Sequence, residues 1–321
     1  MSAGRGRRLM PSKLVRVLLL AFALIPMEMA VAASPVEKTD QGTSTPSERN
    51  WQLGFTPSYS RGNFGTDTTS SFFYAPMSYR RLFRNGDVTL VVPFVAVTTD
   101  GRTTLVGGNP TRVDDSKKSN SGSGGGASID DNGCSGKGSS GSGKNRNCGL
   151  TTRQAGQSVT AAGLGDIILR GRYYVVEETD KLPLIAVTGR IKIPTANESQ
   201  GLGTGALDYG FGVELSKMLG EQWIAFLDGG YNVIGDPDGL QFQNQHWYDI
   251  GAGYYITKNL LTSVYFEEYR AIVPGLVNIR DFFFAVNYTA SPVWRFNGGV
   301  TVGVSNGAPD YGFSVGTSYR F

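Results

Sequence analysis

Few residues in this chain could perform chemistry, and none of them lies in a pattern that demands it. The sequence holds one histidine, His246. A serine hydrolase needs a histidine beside a serine nucleophile, with a third group to orient it. No serine signature flanks His246, and its place at the outer end of a predicted strand reads as an interfacial polar residue. The two cysteines, Cys134 and Cys148, have no nearby histidine and make at most half of a metal site. In an oxidising compartment the spacing fits a local disulfide, worth about 3 kcal/mol on a chain-entropy basis. Gly138, Gly143 and Lys144 have the spacing of a phosphate loop. Asn145 stands where Ser or Thr is required, however, and no strand-to-helix context surrounds it. The sequence therefore predicts no catalytic residue, no metal, no cofactor and no enzyme.

The chemistry that remains is charge, and it alternates with apolar residues. In 207–219, Leu207, Tyr209, Phe211, Val213 and Leu215 alternate with Asp208, Gly210, Gly212, Glu214 and Ser216. In 183–194, Ile185, Val187, Ile191 and Ile193 oppose Thr188, Arg190 and Lys192. Successive side chains of a strand point to opposite faces, so these segments each have one greasy face and one wet face. An Arg or Lys facing lipid at mid-membrane costs roughly 2–4 kcal/mol, which assigns the wet face to a lumen. The lumen-lining candidates are Asp166, Arg170, Arg172, Arg190, Lys192, Asp208, Glu214, Asp228 and Arg295. Acid pairs for hydrolysis are the alternative. The favoured reading pairs these acids, with Asp249 and Asp281, against the bases, Arg320 included, to line a polar wall.

Positioning such residues requires a closed antiparallel sheet. Twelve strand-like segments can be marked: 51–60, 71–81, 87–98, 164–176, 183–194, 207–219, 222–235, 246–257, 260–270, 280–289, 293–305 and 310–321. Ten residues rising ~3.3 Å each and tilted ~40° cover ~25 Å, the height of a barrel's apolar band. The last segment alternates throughout: Tyr311, Phe313, Val315, Thr317, Tyr319 and Phe321 on one side, Asp310, Gly312, Ser314, Gly316, Ser318 and Arg320 on the other. Turns such as Arg84-Asn85-Gly86-Asp87 and Gly220-Glu221 are short, and Asn-Gly is a strong hairpin signal. The opposite loops, 61–70, 99–163, 195–206, 236–245 and 271–279, are longer, and only Asn306–Pro309 is brief. That asymmetry is usual for outer-membrane barrels, with short turns in the periplasm. Trp51, Trp223 and Trp294, with Phe321, fall on the predicted periplasmic rim and Trp247 on the outer one, where interfacial aromatics belong. The fold class is all-β, a transmembrane up-and-down β-barrel of about twelve strands.

The N-terminus gives a compartment. Arg5, Arg7, Arg8, Lys13 and Arg16 precede the apolar run Val17 to Ile25 and the small residues Ala30, Ala32 and Ala33. This is the pattern of a secretory signal peptide over 1–33, followed by a short periplasmic segment, 34–50, and the barrel, 51–321. Residues 1–33 carry five of the 30 Lys and Arg and one of the 27 Asp and Glu. The remainder has 25 bases and 26 acids, a net charge of −1, which removes electrostatic support for nucleic-acid binding. No stretch is apolar enough for a transmembrane helix. A soluble β-sandwich is the bland alternative, and it would have to bury these aromatic strand faces. Residues 107–158 differ in kind: Gly and Ser dominate 119–143, a composition that cannot bury a core. This stretch reads as a flexible external loop interrupting the barrel.

From 163 onward the sequence resembles the family of outer-membrane transporters associated with meta-pathway phenol degradation. The matching residues are Gly163-Leu164-Gly165-Asp166, Ile193-Pro194-Thr195, Gly203-Thr204-Gly205 with Asp208-Tyr209-Gly210, and Gly229-Gly230-Tyr231. Ser305-Asn306 with Pro309-Asp310 and the closing Tyr319-Arg320-Phe321 complete the set. The resemblance covers 160–321 well and 50–106 weakly, and the Gly/Ser insertion departs from it. It implies a passive outer-membrane channel for small hydrophobic or aromatic compounds. The expected partners are outer-membrane lipid, those solutes and the barrel-assembly machinery, which reads the last strand; the expected state is a monomer. Two other readings stay open: a surface-display barrel whose loop 107–158 binds a partner, and a hydrolase at His246.

Overall fold

The computed structural model describes residues 49–114, 158–237 and 240–321. The signal peptide, most of the 34–50 segment, and Cys134 and Cys148 with the rest of 115–157 lie outside the described residues. The chain forms sixteen strand segments: β1 (Trp51–Phe55), β2 (Ser58–Gly62), β3 (Ser70–Phe83), β4 (Gly86–Thr99), β5 (Thr103–Val106), β6 (Asn109–Arg112), β7 (Val159–Leu164) and β8 (Ile167–Val176) come first. They are followed by β9 (Leu184–Ile193), β10 (Asp208–Leu219), β11 (Trp223–Val233), β12 (Gln245–Thr257), β13 (Leu260–Tyr269), β14 (Ile279–Thr289), β15 (Trp294–Gly303) and β16 (Tyr311–Arg320).

Fourteen segments belong to one sheet, and they amount to twelve barrel strands. β1 and β2 are halves of one strand interrupted at Thr56 and Pro57, where proline withholds a ladder donor. β7 and β8 are halves of another, interrupted at Gly165 and Asp166. Both halves of the first strand pair with β16 and with β3, so the sheet closes on itself. At the seam the Trp51 amide donates to the Phe321 carbonyl (3.0 Å) and the Phe321 amide returns the bond to Trp51 (2.9 Å). All pairings are antiparallel and run in sequence order, the up-and-down arrangement.

The alternation sorts side chains as the sequence implies. Tyr209, Phe211 and Val213 of β10 and Phe282, Phe284 and Val286 of β14 stand exposed on the outer surface. Asp208 and Ser216 of β10, and Asp281 and Phe283 of β14, are buried inside. Glu267 and Glu268 are adjacent on β13, where the register with both neighbouring strands is continuous, and so face opposite sides. Glu267 faces inward, while Glu268 faces outward at the long-loop end, held by Arg280 (2.8 Å) and the Tyr248 hydroxyl (2.9 Å). Aromatic pairs ring the short-turn end: Trp51 on Tyr79, Trp223 on Tyr254 and Trp294 on Tyr319, with centroids 4.6–4.9 Å apart.

Two expectations need correction. The stretch 99–163 is not uniformly an external loop, because β5 and β6 form a hairpin that folds into the barrel. Its turn is Gly107-Gly108, both at positive φ (60° and 96°), as a two-residue hairpin turn demands. Leu105 joins Phe64, Phe72, Val95, Val97 and Leu202 in one buried apolar cluster. Val106 and Val113 join Ile234, Ile272 and Val273 in another. Trp247 is the second correction. It shares its face with Gln245 and Asp249 and points into the lumen, its indole over Gly212 and Gly230. A Cβ at either glycine would meet the indole ring, so glycine on β10 and β11 makes the bed for it.

The outward assignment predicts that Phe284→Arg destabilises the barrel by about 2–4 kcal/mol, read from urea-dependent refolding into lipid vesicles. A cost indistinguishable from zero would mean that this face of β14 does not meet lipid.

Candidate functional site

The lumen is divided by the hairpin. Toward the long-loop end β5 and β6 fill it, leaving against β2, β3 and β13–β16 a slot of about 50 Å³. Toward the short-turn end lies a chamber of about 430 Å³, within the range of small-molecule sites. Its wall runs from Gly107 and Asn109 of the hairpin down to Lys258 and Asn259 in the turn between β12 and β13. It is therefore a vestibule that reaches the short-turn mouth.

The hairpin is held at several points. Thr103 donates to the Ser70 hydroxyl (2.8 Å) and Thr104 to the Gly201 carbonyl (2.9 Å). Arg112 donates to the Gly65 carbonyl (2.5 Å). At its neck Arg102 pairs with Asp100 (2.6 Å) and with Asp67. That guanidinium holds the Asp67 carboxyl below its ordinary value. Burial pushes the Asp100 carboxyl up, and hydrogen bonds from Arg102 and Thr68 outweigh it, leaving Asp100 lowered as well. The tip rests on the barrel wall, with Gly107 against the Arg190 guanidinium and Gly108 against the Tyr74 ring.

Charged side chains sit in three groups. The first is a buried knot at the long-loop end: Lys192, fully buried, reaches Asp208 at 2.7 Å and Asp166 at 3.4 Å and donates to the Thr204 hydroxyl at 2.7 Å. Both carboxylates also accept backbone N–H groups from the covering loops, Asp166 from Ala196 and Asp208 from Gly235, each at 3.0 Å. The second group lies on β3, β4, β8, β9 and β10 facing the vestibule. Arg80 pairs with Asp87 (2.7 Å), and Arg172 pairs with Glu214 (2.7 Å) and lies 3.7 Å from Asp87. Arg170, Arg190 and, near the mouth, Arg295 line the same space. The third group is a row of inward acids in register across four strands: Asp228, Asp249, Glu267 and Asp281.

The sequence candidates therefore divide. Arg170, Arg172, Arg190, Glu214 and Arg295 line the vestibule, while Asp166, Lys192 and Asp208 are brought together in the knot. Asp228 stands in the acidic row and accepts the Leu215 amide (3.1 Å). Asp249, Glu267 and Asp281 have no basic partner within 4 Å among the described residues, so acids and bases segregate rather than pair throughout.

Beside the bases lies an apolar surface that a search for charged residues passes over. Ile224, Phe226, Leu261, Tyr265, Phe283 and Ala285 point inward and form a buried cluster. Leu261, Phe283 and Ala285 reach the vestibule, where Trp247 and Tyr269, stacked at 6.1 Å, continue the surface. The signal in the sequence was parity: Phe283 and Tyr265 occupy the same inward series as Asp281 and Glu267. His246 is exposed on the outer face, and no group of three or more potential metal ligands is assembled among the described residues.

Removing the charge of Lys192 leaves two buried carboxylates uncompensated. Lys192→Met is expected to cost about 3–5 kcal/mol, measured as a lowered refolding midpoint. Adding Asp208→Leu should restore part of the loss; equal stability of Lys192→Met and wild type would contradict the buried knot.

Residues 86–321 match the family model described as "Putative MetA-pathway of phenol degradation". No curated protein matches the chain in sequence. Among solved structures the chain is similar to an outer membrane channel from Pseudomonas putida F1, at 12% identity and a TM-score of 0.53, covering 88% of this chain and 100% of that one. It is also aligned with the toluene transporter TodX of P. putida, at 14% identity and a TM-score of 0.39, covering 86% of this chain and 80% of that one.

Proposed function

The chain belongs to this phenol-degradation family, and on that premise we propose that it is an outer-membrane channel for passive movement of small aromatic or hydrophobic compounds. One observation carries the reading: a closed twelve-stranded wall, greasy outside, encloses a vestibule lined by Trp247, Tyr269 and Phe283. A barrel built only as an anchor has no use for an aromatic-walled interior. The exposed aromatic and aliphatic band supports placement in the outer membrane, with the short turns in the periplasm and the hairpin toward the exterior. Residues 1–33 supply the export signal that such a location needs, and 34–50 the link to the barrel. The working unit in this reading is a single barrel, closed by the pairing of its first and last strands, and the Phe321 strand is the segment offered to the assembly machinery.

Passage requires the hairpin to yield. Wild-type conductance is therefore low, and solute crosses when β5 and β6 shift away from the Tyr74 and Arg190 wall. No residue has a catalytic role in this reading, and selectivity comes from the side chains that line the lumen.

Replacing 103–112 by a short Gly/Ser linker is expected to raise single-channel conductance in planar bilayers several-fold, and to speed liposome swelling by phenolic solutes. Absence of permeation in both proteins, with the barrel correctly folded, would overturn the channel assignment.

A further inference from the structure

The reading above leaves open whether the solute is neutral or charged. We infer that the vestibule selects small aromatic anions of the arenecarboxylate class, with Arg170 and Arg190 taking the charged end and the aromatic wall taking the ring. This rests on the channel reading and adds the charge of its cargo.

The first ground is a charge count at the vestibule wall. The two acids that line it, Asp87 and Glu214, are already engaged by Arg80 and Arg172. Arg170 and Arg190 have no carboxylate within 4 Å among the described residues. Arg190 Nε is moreover buried without a hydrogen-bond acceptor. A guanidinium presents its donors in a planar fork that matches a carboxylate, and leaving such a donor unmet in a low-dielectric site is unfavourable.

The second ground is placement. Arg170 of β8 and Arg190 of β9 are register partners on one face, so two like charges sit side by side where they repel. An anion between them removes that repulsion. The remaining acids do not oppose it at the wall. Asp228 and Asp249 do not line the vestibule, and Glu267 and Asp281 line the separate slot beyond the hairpin.

The third ground is the aromatic surface that shares the vestibule with the arginines. Trp247, seated over Gly212 and Gly230, stacks with Tyr269, and Phe283 continues the wall toward the short-turn mouth. A neutral hydrocarbon would satisfy only this apolar wall, and an inorganic anion only the arginines. An aromatic ring bearing a carboxylate satisfies both.

Planar-bilayer recording tests the inference with the full-length protein, using benzoate and benzyl alcohol as matched probes. Under a KCl gradient the wild type is expected to favour chloride over potassium severalfold. Benzoate should interrupt the ion current at a concentration about tenfold lower than benzyl alcohol does. R170Q/R190Q should lose the chloride preference and weaken the benzoate block by about tenfold or more. R170K/R190K should keep the preference for chloride yet still weaken the block, because ammonium groups lack the bidentate fork. Heat-modifiable migration on gels confirms that each variant is a folded barrel. A conducting wild type that prefers potassium would overturn the inference while leaving the channel reading intact. So would equal action of the two probes, or undiminished block in R170Q/R190Q. Silence of both the wild type and the hairpin-replaced protein would overturn the channel reading and this inference together.

Discussion

Everything in this molecule depends on the seam between its first and last strands. A backbone N–H or C=O left unpaired in hydrocarbon costs several kcal/mol, so a sheet can lie in lipid only if it has no edge. Here β1 and β2 pair with β16 along most of its length, and Trp51 and Phe321 exchange two backbone hydrogen bonds at the rim. Proline at 57 interrupts the first strand without opening it, because the pairing resumes at Ser58. Once the seam is closed, every strand acquires two distinct sides. The outer side can then be apolar along its whole height, and the inner side is free to carry charge, aromatic rings or glycine.

The inner side uses that freedom unevenly. At the long-loop end the lumen is packed: the β5–β6 hairpin inserts two apolar clusters, and the Lys192 knot ties the covering loops to β8, β9 and β10 through Asp166 and Asp208. At the short-turn end it is hollow, lined by both basic side chains and aromatic rings. This asymmetry makes the interior a chamber with one open mouth and one obstructed one. The obstruction is a two-stranded ribbon, an element that can move as a unit without breaking the barrel's own ladder. On the proposed channel reading, the chamber sets solute chemistry and the ribbon sets access.

Much of this was legible in the sequence because a membrane barrel enforces a period of two. Tyr209, Phe211 and Val213 must face lipid if Asp208 and Glu214 do not, and the structure places them so. The count of twelve strands follows from the same constraint, and the loop asymmetry is an independent reading of turn chemistry and connection length. What was not legible depends on neighbours across the sheet. Trp247 sits near a strand end, which suggested an interfacial belt residue, yet its parity with Gln245 and Asp249 sends it inward to Gly212 and Gly230. The hairpin was hidden differently. Val106-Gly107-Gly108-Asn109 is a sound turn signal, but it runs into a Gly- and Ser-rich stretch whose composition masks it. The separation of Asp249, Glu267 and Asp281 from the arginines follows from strand register, which no single strand reveals.

In the proposed channel the vestibule, and not the outer surface or the loops, receives the solute. Crystals grown with 4-bromobenzoate test it directly, because the bromine can be located by its anomalous scattering. The structure predicts bromine density against Trp247, Tyr269 and Phe283, with the carboxylate at Arg170 and Arg190 and the hairpin above it. Bromine found only in the detergent belt or among the external loops, with the vestibule filled by water alone, would contradict it.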